Sequence, residues 1–130
     1  MFGEQLTLFD TLHAHAADHG VPVEDMIDNA AEIHPAFGLA DLVHADLHLR
    51  PQRDSEHTYC SGTIGTNATT RPVSVSKEES LLSLHQREFV ALKDPDGRAW
   101  RLKVCQKCLA AAYVDAVTVK TIPQTIGGAL

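Results

Sequence analysis

Residues Arg101-Leu-Lys-Val-Cys-Gln-Lys-Cys-Leu-Ala-Ala-Ala-Tyr113 read RLKVCQKCLAAAY. The stretch joins two textures. Arg101 and Lys103 alternate with Trp100, Leu102 and Val104, the period of a half-buried strand, while Leu109, Tyr113, Val114 and Val117 recur at helical spacing. Cys105 and Cys108 form a C-x2-C turn between them, with both sulfurs aimed at one spot. Backbone N–H groups at a helix N-terminus favour thiolate over thiol. Such a turn suits a bound metal or a reactive dithiol.

The upstream chain weighs between these. His57-Thr-Tyr-Cys60 repeats the three-residue offset, and H-x2-C with C-x2-C makes Cys3His, a closed tetrahedral set for Zn2+. A redox C-x2-C belongs in a βαβ context. Here the motif follows two strand-like runs, 88–92 and 99–104, joined by Asp94-Pro-Asp-Gly97, a hairpin signal with no parallel-sheet pattern around it. The expected ligands of one structural Zn2+ are therefore His57, Cys60, Cys105 and Cys108, with His85 the alternative to His57. Four protein ligands leave no open position for catalysis by the ion.

A knuckle, a hairpin, then C-x2-C at a helix N-terminus resembles a treble-clef zinc finger over about residues 57–117. His57 stands where the common pattern has a first Cys, Ser61 where it has Gly, and the loop between the pairs is long. The resemblance implies a small zinc module, and such modules bind nucleic acid, bind protein or act as scaffolds.

The chain has 130 residues, 44% of them hydrophobic, enough for an ordinary folded domain. No apolar run approaches the ~18 residues of a membrane span. The opening MFGEQLTLFD has no basic n-region or long apolar stretch, which predicts no signal peptide and a cytoplasmic protein. Three cysteines argue against a secreted disulfide framework. Charge is asymmetric. Residues 1–49 hold nine acids, six of the eight His and no Lys or Arg, a charge of −9. The rest holds all 11 basic residues against eight acids, a charge of +3. Either the two surfaces neutralise one another, or they face different partners.

Leu6, Leu8, Phe9, Leu12 and Ala16 predict a first helix ended by Gly20, and Pro22 opens a second with Met26, Ile27, Ala30, Ala31 and Ile33 on its apolar face. His34-Pro35 breaks it. A third helix is expected from Pro35 to about Leu49, burying Leu39, Leu42, Val43 and Leu47. Residues 51–56 read as a polar linker between an acidic helical region, 1–50, and the zinc module, 57–117. Short strands are expected to about 76, a capping box at Ser76-Lys-Glu-Glu79 opens a short helix, and 118–130 read as an irregular tail.

Three features speak to partners. Gln5-Leu-Thr-Leu-Phe9 resembles the bacterial sliding-clamp-binding peptide. That resemblance implies Leu8 and Phe9 as apolar anchors, Gln5 as the orienting residue, Leu6 as a supporting contact, and Asp10 as N-cap of a following helix. The competing reading makes these residues the first turn of a helix packed on the core. Arg98, Arg101, Lys103 and Lys107 gather on the hairpin and knuckle, either an ordinary solvated face or a nucleic-acid contact. His15/His19 and His44/His48 are i, i+4 pairs, either polar surface residues or a second, four-His metal site with Asp41. No H-E-x-x-H, catalytic triad order or phosphate loop stands out.

The sequence thus predicts an α+β protein, a non-enzymatic zinc-binding adaptor or regulator acting on a protein partner such as the sliding clamp. Its composition suits a bacteriophage or accessory bacterial factor. The alternatives are a nucleic-acid-binding zinc-finger regulator and a His-based metalloenzyme.

Overall fold

Helix α1, Leu8–His19, starts from a reciprocal capping box. The Thr7 hydroxyl accepts from the Asp10 amide, and the Asp10 carboxylate accepts from the Thr7 amide, both at 3.2 Å. Asp10 is therefore the third helical residue, where a carboxylate also meets the positive end of the helix, and Thr7 rather than Asp10 is the N-cap. At the other end Gly20 takes a left-handed φ of 64° and closes the helix onto the Ala16 carbonyl. Leu8, Thr11, Leu12 and Ala16 form the buried stripe. Helix α2, Val23–Glu32, follows Pro22, with Glu24 and Asp25 in its first turn and Met26 and Ala30 buried.

A computed structural model describes residues 7–60, 69–87, 89–93 and 97–129, at 93 and 119–129 as backbone alone. It is an α+β fold of four helices and a five-stranded sheet in the order β3-β1-β2-β5-β4. The strands are β1 Phe37–Asp41, β2 Asp46–Arg50, β3 Thr70–Ser74, β4 Phe89–Lys93 and β5 Ala99–Val104; α3 is Leu81–Gln86 and α4 is Gln106–Ala129.

Residues 35–49 are a β-hairpin, not the expected helix. The Asp41 carboxylate accepts from the amides of Val43 and His44 at 3.1 and 3.2 Å and holds the His44 ring at 2.8 Å. Ala45 then turns through a φ of 55°. This local side-chain bonding competes with a helix and wins. Leu47 and Leu49, both fully buried, alternate with His48 at the period of a strand.

All strand pairs are antiparallel except β2–β5, where Asp46 lies beside Lys103 and Leu47 beside Val104 in parallel. This pair was not expected from the sequence. Edge strand β3 tolerates Pro72 because one of its sides has no sheet neighbour among the described residues. Helix α3 is capped by Ser80 and Ser83, while Ser76–Glu79 forms a turn ahead of it. Buried Glu79 accepts from the Ser83 hydroxyl at 2.7 Å and pairs with Arg87 at 3.1 Å. Helix α4 runs to Ala129, so the tail expected to be irregular from 118 is helical in its backbone through residue 129.

Helix α1 packs on α2 and α4, α3 packs on the same two, and α4 lies on β2. One buried cluster unites Leu8 and Leu12 with Leu47, Leu49, Leu81, Leu84, Leu102, Leu109 and Tyr113. Residues from both sides of 51–56 thus share a core. The Arg50 guanidinium ties that segment down by donating to the Ser55 carbonyl at 3.3 Å.

Candidate metal centre

Strand β2 is the platform of the site. The Leu47 carbonyl accepts from the Cys105 amide, and the Leu49 carbonyl accepts from the Tyr59 amide, both at 2.9 Å. The residue between them is His48. The parallel β2–β5 pairing thus delivers Cys105 to the edge of β2 at His48, and the chain returning after β2 delivers Cys60 to the same edge. Cys105 lies just ahead of α4 and its carbonyl accepts from the Leu109 amide at 3.2 Å, so Cys108 falls in the first turn of the helix.

These placements gather four donor atoms. His48, Cys60, Cys105 and Cys108 each offer one ligand atom, all within 4.8 Å of one another, and the group can hold a metal ion. His48 Nδ1 lies 3.5 Å from Cys60 Sγ and 3.8 Å from Cys108 Sγ. Tetrahedral bonds of ~2.3 Å to sulfur and ~2.0 Å to nitrogen place such atoms about 3.5 Å apart, so the donors are spaced for one small ion. The Thr58 hydroxyl sits 3.3 Å from Cys60 Sγ, and the Leu49 carbonyl lies 3.9 Å from Cys108 Sγ, outer contacts that orient the sulfurs.

Without a metal the site polarises itself. The Cys108 thiol and amide, together with the His48 ring, hold Cys105 as a thiolate with its pKa lowered to about 4, against the opposing cost of burial. Cys108 is pushed above the usual thiol range, because it donates to Cys105 and its own ionisation would put a second charge into a buried site. The Cys105 thiolate in turn raises His48 to about 9. The metal-free centre therefore contains a thiolate–imidazolium pair, with one donor already deprotonated for a metal.

The histidine at the three sulfurs is His48, not His57. His57 is exposed, and its backbone is engaged by the Ser55 hydroxyl. His85, the alternative, donates from Nδ1 to Gln106 Oε1, 2.7 Å away, and meets the Phe9 ring edge-on with centroids 4.4 Å apart. The hairpin and the C-x2-C helix appear in the expected order, but the H-x2-C knuckle does not supply its histidine. The hairpin also belongs to a larger sheet. The treble-clef resemblance thus reduces to the C-x2-C turn and its flanking elements. Strand alternation is the signal that would have found His48: in Asp46-Leu-His-Leu-Arg50 it projects opposite two buried leucines.

The four-His arrangement does not assemble among the described residues. His15 and His19 stack on each other with centroids 5.4 Å apart, His44 pairs with Asp41, and His48 belongs to the cysteines. Of the docking peptide, Gln5 and Leu6 lie outside the described residues, Leu8 is 0% exposed, and Phe9 is 36% exposed. Arg98, Arg101, Lys103 and Lys107 are all exposed. A cleft of about 320 Å³ beside the centre is lined by Thr11, Tyr59, Cys60, Lys107 and Val114. No helix of the described residues is long and apolar enough to cross a membrane.

No family model, curated protein or solved structure matches the chain.

Proposed function

We propose that His48, Cys60, Cys105 and Cys108 bind one Zn2+ and that the ion is structural, in a non-enzymatic protein that acts by binding a partner. The observation that carries the metal is the convergence of three sulfurs and one ring nitrogen within 4.8 Å. Thiolate and imidazole suit zinc, and four protein donors close its coordination. A catalytic dithiol needs two cysteines and a free approach. Here a third cysteine and a histidine complete a tetrahedral set instead.

The ion would tie β2 and the chain after it to the β5–α4 junction, so its binding energy is folding energy. Elemental analysis of protein purified without chelator is expected to give one zinc per chain, and Co2+ in its place the absorption of a tetrahedral thiolate site. Zinc-free protein that also gives no such Co2+ spectrum would sink the metal. Melting unchanged by chelation would sink its structural role.

An adaptor role at the sliding clamp rests on Gln5–Phe9 alone. Docking through Leu8 would require the first turn of α1 to leave the core.

A further inference from the structure

The outer face of the β4–β5 hairpin carries a second kind of chemistry. Its register sets Phe89 opposite Lys103 and Ala91 opposite Arg101, and Ala99 lies two residues before Arg101, so these residues share one side of the ribbon. The opposite side supplies Val90 and Leu102 to the core. On the outer side a groove of about 470 Å³ is lined by Arg87, Phe89, Ala91, Ala99, Trp100 and Arg101. That lies in the ~300–1,000 Å³ range of sites that hold small molecules or single groups of larger ones.

The lining is specific. Ala91 and Ala99 leave a low floor. Phe89 is 41% exposed, and the Arg101 guanidinium carbon stands 4.3 Å from its ring centroid. Trp100, the chain's one tryptophan, borders the same space. A flat, electron-rich ring entering here meets the Arg101 guanidinium and the Phe89 ring beside it, whereas Trp100 sides with Leu92 and Leu102 against the core. Exposed Arg101 and Lys103 lie along the strand beside it, with Asp46 next to Lys103 in register and Glu79 holding Arg87.

From this we infer that the hairpin face binds single-stranded nucleic acid, one base stacking in the groove and adjacent phosphates meeting Arg101 and Lys103. Aromatic rings and guanidinium planes are the platforms on which unpaired bases stack, and cations beside them track the backbone. A duplex keeps its base faces stacked internally and cannot offer one to the groove. The positive charge of the chain after residue 49 matches a polyanion. The inference does not depend on the identity of the metal.

The test uses the full-length protein as purified and a short end-labelled oligo(dT), with fluorescence anisotropy as the direct readout. Oligo(dT) anisotropy is expected to rise on titration with the protein. Two phosphate contacts predict that binding weakens by roughly an order of magnitude between about 50 and 200 mM salt. Phe89→Ala and Arg101→Ala should each weaken binding roughly ten-fold or more, the scale of a lost stack, with unchanged zinc content and circular dichroism. Arg101→Ala should also flatten the salt dependence. The assignment is overturned if oligo(dT) does not bind. It is also overturned if duplex DNA binds as tightly, or if both variants bind like the wild type. Displacement of oligo(dT) by polyglutamate at equal charge concentration would assign the face to an acidic protein surface instead.

Discussion

The amide of Cys105 donates to the carbonyl of Leu47 at 2.9 Å. This is a rung of the parallel β2–β5 ladder, and it brings the C-x2-C turn to the residue after Leu47. The matching bond from Tyr59 to Leu49 does the same for Cys60. Backbone pairing, rather than any side-chain contact, selects His48 as the fourth member of the cluster.

His48→Ala should therefore cost the protein its zinc, while His57→Ala should leave one zinc per chain. Elemental analysis of the two variants, prepared identically, separates them. Retained zinc in His48→Ala with loss in His57→Ala would return the fourth ligand to the H-x2-C pair.

The polarised thiolate gives the metal-free protein a particular pH profile. Cys105 falls from the ordinary 9.0 to about 4 on folding, and His48 rises from 6.5 to about 9. The stability due to Cys105 is lost as pH falls through 4. That due to His48 is complete below 6.5 and is lost as pH rises through 9. Between 4 and 6.5 the unfolded chain binds one more proton than the folded chain, so stability climbs with pH. From 6.5 to 9 the two effects cancel and stability is level. Urea titrations of chelator-treated protein across this range check the shape; stability that does not climb between pH 4 and 6.5 would mean the thiolate is absent. Zinc must displace the protons of both His48 and Cys108, so its apparent affinity should still be rising at pH 9.

Gly38 sits opposite Leu49 in β1, where an added Cβ would lie 3.0 Å from Leu47 Cδ1 and 3.1 Å from the His48 carbonyl oxygen. Gly38→Ala pushes on the backbone that carries His48. A cost of about 1–3 kcal/mol in stability is expected, with weaker zinc retention in a chelator competition. Lowered stability with undiminished retention would show that β2 can shift without moving His48.

Leu8→Ala should destabilise the protein by about 2–5 kcal/mol, because the side chain is fully enclosed. Phe9→Ala loses an edge-on contact with His85 and should cost about 1 kcal/mol. Denaturant melts of both variants decide the role of this turn. A neutral Leu8→Ala would mean that the anchor residues of the peptide are free to dock elsewhere.

Much of this fold can be read in the sequence wherever one local signal acts alone. Gly20 and Pro22 punctuate α1 and α2, and Asp94-Pro-Asp-Gly97 separates strands that do pair, although the turn itself lies outside the described residues except for Gly97. Legibility fails at 35–49, where Leu39, Leu42, Val43 and Leu47 mimic a helical stripe. There the Asp41 side chain decides for a turn by accepting hydrogen bonds from two backbone amides, which composition does not reveal. The same misreading hid His48, since a helix pairs it with His44, whereas a strand faces it away from Leu47 and Leu49. The β2–β5 pairing was equally hidden, because its partners are remote and its ladder is two residue pairs long. At the cluster, the cysteine spacing carried the chemistry and the strand period carried the histidine.

The separation of 60 positions between His48 and Cys108 also sets a timetable for folding. The hairpins β1–β2 and β4–β5 join neighbours in the chain and can form early, whereas β2 meets β5 only after a long loop has closed. Loop closure of this kind is slow relative to local pairing. The four donors exist as a group only once it has happened, so a metal captured during refolding marks the last joining of the two halves. Stopped-flow refolding with Co2+ is expected to develop thiolate-to-metal absorption in its slowest phase, behind the recovery of helical signal. Absorption that precedes the helical signal would make the ion the seed of folding instead of its final clasp.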